Sequence, residues 1–149
     1  MVIISIVLVG MLGVLSLLNQ NIQAESINKN HFIAYQLAQE GIESARAVRD
    51  SDATTFFSLA NGDYLFYFNG VYAPVTSTNQ VNLCYANNLY TGCTDWNNPN
   101  TTFKRKVTLS KLTDGTTGFP YTDVLSTVTW TERTKTYSYS LDTHLYAWQ

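Results

Sequence analysis

The stretch NQNIQAESINKNHFIAYQLAQEGIESARAVRDSD (Asn19–Asp52) holds one glycine and no proline, so nothing in it breaks a helix. Along it Ile27, Ala34, Ala38, Gly41 or Ile42, Ala45 and Val48 recur by threes and fours, with His31 the one polar member of the row. That spacing is one face of an α-helix. Ala34, Ala38, Gly41 and Ala45 are too small to dominate a core. They let a sheet or a neighbouring helix approach closely, while Ile42 and Val48 fill the space that remains. The opposite face is polar. Glu25 with Lys29 and Glu43 with Arg46 are spaced as helical ion pairs, worth only a few tenths of a kcal/mol each, and both are equally accounted for by plain solvation. Arg46 and Arg49 suit the negative end of the helix, and Asp50-Ser51-Asp52 ends it.

Upstream, MVIISIVLVGMLGVLSLL carries no charge from Met1 to Leu18. As a helix it covers about 27 Å, close to the ~30 Å hydrocarbon thickness of a bilayer. Val2, Ile3, Ile6, Leu8, Leu15 and Leu18 are among its 12 Val, Ile and Leu residues, and Gly10 and Gly13 interrupt them. At roughly 0.3–0.6 kcal/mol each near the bilayer centre, such residues favour insertion by about 4–7 kcal/mol before the glycines and serines are discounted. A cleaved secretory signal would carry basic residues ahead of a shorter apolar core, whereas the first Lys or Arg here is Lys29. A retained anchor is the better reading. Asn19, Gln20, Asn21 and Gln23 close the lipid-compatible zone without stopping the helix, so one helix of about 50 residues, roughly 75 Å, is expected, half in lipid and half in a soluble domain.

Downstream of Thr54 the period changes to alternation. Asn61-Gly62 precedes DYLFYF, and Asn69-Gly70 joins it to VYAPV as a hairpin. The Asn- and Thr-rich segment Thr76–Asn100 reads as a loop region. Strands then return, with Phe103, Val107 and Leu109 on one face of the first and Val124, Val128 and Trp130 on one face of the second. Tyr137, Tyr139, Leu141 and Leu145 share a face of the third, and Glu132-Arg133-Thr134-Lys135 folds the last two strands into an antiparallel hairpin. The small-residue stripe of the helix is the natural cover for their apolar face. The fold class is therefore α+β: a long N-terminal helix, apolar in its first half, packed by its second half on a small antiparallel β-sheet. Residues 1–23 form the membrane segment, 24–149 the domain, with helix over 24–50 and sheet over about 63–148.

Composition limits function. With 149 residues, 45% of them hydrophobic, the chain suits one modest domain plus the anchor, and a net charge of −2 gives no field that would draw nucleic acid. The run Lys104-Arg105-Lys106 alternates faces on a strand, so at most Lys104 and Lys106 point the same way, a weak phosphate site. It reads as a solvated or edge-protecting charge run, and DNA binding is not expected. Cys84 and Cys93 in LCYANNLYTGC either close a surface loop as one disulfide or stay as free thiols. An oxidising compartment, which the anchor implies, favours the disulfide. His31 and His144 have no metal-ligand spacing and read as ordinary surface histidines. No catalytic constellation, cofactor motif, metal motif or small-molecule substrate site stands out, and the chain is not expected to be an enzyme.

The apolar helix with Ser5, Gly10 and Gly13, followed by AYQLAQEGIESARAVRDSD, an Asn-Gly turn and a terminal sheet ending VTWTE…YSYSLDTHLYAW, resembles the type IV pilin-like family over nearly the whole chain. The similarity is to bacterial minor pilins and pilus modification proteins with a prepilin-type cleavage and methylation N-terminus. Precursors of that family begin with a short basic leader, a Gly and Phe-Thr/Ser-Leu-Ile/Val-Glu, none of which precedes Met1. The resemblance places Met1 about nine residues inside the mature helix. It implies a structural subunit of a type IV pilus or a related pseudopilus, stored in the bacterial cytoplasmic membrane as a single-pass protein with the sheet domain outside, then moved into a cell-surface filament. Its partners would be other pilin subunits, in a homo- or hetero-polymer, and the pilus assembly machinery. The rival reading is a membrane-tethered extracytoplasmic binding or adhesion domain that never polymerises.

Overall fold

The computed structural model describes residues 2–67, 71–76, 81–86, 89–92, 99, 101–116 and 118–147. One helix, α1 (Val2–Ser51), is followed by a short α2 (Ala53–Ser58) and seven strands. The chain divides into two compact units within α1, Met1–Ile33 and Ala34–Gln149.

In the first unit α1 is exposed on every side through its apolar run. Ile27 is half-buried and His31 exposed, so neither extends the buried row.

The second unit begins where burial begins. Ala34, Ala38, Gly41, Ile42, Ala45 and Val48 are all buried, and so are Leu37 and Ser44, which widen the stripe beyond the residues the spacing singled out. Alternation was expected from Thr54, but α2 comes first. α1 ends at Ser51, as Asp50-Ser51-Asp52 led one to expect, and Asp52 also caps α2: its carboxylate accepts from the Thr55 backbone N–H at 3.0 Å. Capping turns the chain and sends Phe56 into the core, 1% exposed.

Five antiparallel strands form the main sheet in the order β2-β1-β5-β6-β7. They are β1 (Gly62–Phe66), β2 (Tyr72–Pro74), β5 (Lys104–Thr113), β6 (Pro120–Glu132) and β7 (Lys135–Tyr146). β1 and β2 pair as expected, with Leu65 opposite Ala73, while Asn69-Gly70 lies outside the described residues. β6 and β7 form the expected hairpin, Glu132 opposite Lys135. Val107, Leu109, Val124 and Leu145 from the sheet meet Ala45 and Val48 of α1, together with Phe56, Tyr64 and Phe66, in one cluster. Each large apolar side chain so buried contributes about 1.5–3 kcal/mol.

Part of the expected loop region is a hairpin. β3 (Leu83–Ala86) and β4 (Leu89–Gly92) pair antiparallel with Cys84 opposite Thr91. The hairpin is held to the sheet by backbone bonds, Leu83 N–H to Phe103 O at 2.9 Å and Arg105 N–H to Val81 O at 2.8 Å, and Leu83 is fully buried. Its Asn content masked strands that are short and supported mainly by β5. Cys84 is disulfide-bonded, and Cys93 lies outside the described residues.

Candidate functional site

Two parts of α1 carry functional meaning. The first is the apolar run. Val2, Ile3, Ile6, Leu8, Leu15 and Leu18 are each between 47 and 78% exposed, and a methyl group placed on Gly10 or Gly13 would meet nothing within 4 Å. The Ser5 hydroxyl donates to Val2 O at 2.8 Å, which removes a polar cost inside an apolar medium. By length and composition this helix is long and apolar enough to cross a membrane.

The second part is the seat of residues 34–51 on the sheet. Gly41 marks a close approach: a Cβ there would overlap Ser126 Oγ and lie 3.3 Å from both Arg105 Cδ and Ser126 Cβ. Arg105 was expected in a solvated charge run, and the structure corrects this. Its side chain is 3% exposed on the inner face of β5, in phase with Phe103, Val107 and Leu109. Its guanidinium donates to Leu37 O at 3.2 Å and pairs with Glu40 at 3.0 Å, tying α1 to β5 at two points, and it also donates to Phe66 O of β1 at 3.3 Å. The alternation that assigned Phe103, Val107 and Leu109 to the core already assigned Arg105 to it. Charge alone hid the assignment.

Lys106, on the other face, is also engaged. Its ammonium bonds the Asp63 carboxylate at 2.8 Å, and the Thr108 hydroxyl donates to the same group. Partial burial pushes the Asp63 carboxyl up, but the bonds from Lys106 and Thr108 and the Lys106 charge outweigh it and hold the group below its ordinary value. The hydrogen bonds from Thr55 likewise lower Asp52. At the helix end, Arg46 bridges Glu43 at 2.7 Å and Thr143 Oγ1 of β7 at 3.1 Å. Tyr35 meets Tyr139 edge-on, ring centres 5.8 Å apart.

The arrangement is an apolar helical run followed by a helix segment pinned on a sheet. No family model matches the chain, and no curated protein or solved structure matches it.

Proposed function

We propose that the chain is a structural subunit of a type IV pilus or related pseudopilus, held in the membrane through Val2–Leu18 before assembly and packed through the same residues in the filament. The carrying observation is that one helix, Val2–Ser51, contains both the exposed apolar run and the buried small-residue stripe, with no linker between them. A domain that needs only tethering has no use for such continuity. Lipid tails are about as apolar as packed Val and Leu, so exchanging lipid for neighbouring helices is close to balanced. Modest lateral contacts can then tip a subunit into the polymer. The likeness of AYQLAQEGIESARAVRDSD and the terminal sheet to minor pilins supports the same reading.

The test is fractionation of cells making an epitope-tagged chain. The parent is expected both in the membrane and in filaments sheared from the surface. Leu8→Arg, which costs about 2.5–3.5 kcal/mol of insertion at a helix centre, should deplete both pools. A parent chain that stays in the membrane and never enters the sheared polymer would refute the filament reading and favour the tethered binding domain.

A further inference from the structure

The geometry points to a binding site for one borderline divalent transition-metal ion of the zinc class on the sheet face opposite α1, with Asp123, Asp142 and His144 as its ligands. Val124 and Leu145 turn into the core, so their neighbours Asp123 and His144 turn outward, and the β6–β7 register sets them directly opposite one another. Asp142, two residues before His144 on β7, shares that face. One ligand atom from each of the three lies within 4.8 Å of the others.

Two further observations separate this group from a chance gathering of charges. Asp123 Oδ1 is itself sealed from solvent and accepts no hydrogen bond, on a side chain 31% exposed, and it stands 3.2 Å from His144 Nδ1, an ion pair when the ring is protonated. With metal bonds of about 2.0–2.1 Å, two ligands of a tetrahedral ion sit about 3.3 Å apart, so the spacing suits two donors around one cation. The imidazole is also braced: the Tyr121 ring meets it edge-on at 5.2 Å and is itself packed on Tyr146 at 5.4 Å. A fixed ring orientation is what a ligating histidine needs.

The donor set selects the ion. Imidazole nitrogen favours zinc-class metals over magnesium or calcium, and two carboxylates neutralise a dication. Asp142 is exposed and free to swing its carboxylate in, and water completes the coordination. An ion there would tie β6 to β7 at the end of the sheet where the hairpin opens.

The experiment uses the untagged full-length chain in detergent micelles, stripped with a chelator, and titrated calorimetrically with ZnCl2 and in parallel with MgCl2. One saturable zinc event per chain is expected, with none for magnesium. Loss of outer-shell partners alone costs metal sites about 10–100-fold, so His144→Ala, Asp123→Asn and the more exposed Asp142→Asn should each weaken zinc by more than about tenfold. His31→Ala, at an exposed position on α1, should change nothing. Melts in chelator report that the variants fold. Absence of saturable zinc uptake, uptake unchanged in His144→Ala, uptake lost in His31→Ala, or equal uptake of magnesium would each overturn the assignment.

Discussion

Gly41→Ala should destabilise this protein although it replaces a poor helix former with the best one. In an exposed helix interior the change gains about 1 kcal/mol. Here the added Cβ would overlap Ser126 Oγ and press on Arg105 Cδ and Ser126 Cβ, both at 3.3 Å, inside a face where Ser126 is 0% exposed. Overpacking of that kind costs about 1–3 kcal/mol, so the net is a loss of about 0–2 kcal/mol. Ser126→Ala offers the control. Its hydroxyl is buried without a hydrogen-bond partner, so removing it should be neutral or gain up to about 1 kcal/mol. In that background the worst overlap is gone, and Gly41→Ala should recover most of its helix-propensity gain. The double-mutant cycle should therefore show a favourable coupling of about 1–2 kcal/mol. Thermal unfolding of the full chain in mild detergent, followed by circular dichroism, reads this as about 3–5 °C per kcal/mol. Ala38→Trp and Gly41→Trp, far larger intrusions, should be severe. A Gly41→Ala variant that melts higher than the parent, or shifts equally in both backgrounds, would refute close approach of α1 to β6 at this point.

Glu40→Gln should cost more than Arg105→Met, about 2–3 against about 1–2 kcal/mol in urea melts, because the first leaves a buried guanidinium without a counter-charge while the second removes the charge and keeps an apolar stem. The reverse order would mean that the ion pair is a net stabiliser. Asp63 gives an acid-side dependence: its folded carboxyl titrates below its unfolded value, so the stability it adds is present above about pH 4 and is lost as pH falls through the folded value. Asp63→Asn should flatten that part of the profile in melts between neutral and acid pH, and an unchanged slope would rule out the contribution. Cys84 and Cys93 are predicted to close their loop of about ten residues, so reduction should lower stability by about 2–3 kcal/mol. Intact mass after alkylation without reductant should show no modified thiol, and two modified thiols would defeat the pairing.

The long helix was legible because its signals are local. A charge-free run from Met1 to Leu18, an unbroken polar junction and a stripe at helical spacing each depend on neighbours a few positions away. The inner faces of β5, β6 and β7 followed from parity for the same reason. Asp50-Ser51-Asp52 marked the end of α1, but the short α2 that follows was missed, because a capping side chain looks in sequence like any helix terminator and only the bond to Thr55 shows that Asp52 also opens a new helix. The β3–β4 hairpin was missed because its strands are stabilised from outside, by β5, rather than by their own composition.

What the sequence determined alone is therefore periodic: the apolar helical run, the α+β class, the alternating faces and the row Ala34, Ala38, Gly41, Ile42, Ala45 and Val48. What only tertiary structure decided is pairing between distant residues. Arg105 reaches Glu40 and Phe66, Gly41 abuts Ser126, and Asp123 faces His144, because strand register and helix seating bring them together. The physical reason is one of range. Hydrophobic periodicity is set within a few residues, whereas the partner of a buried charge or a converging ligand depends on which strands pair, and in what register, and no local pattern carries that information.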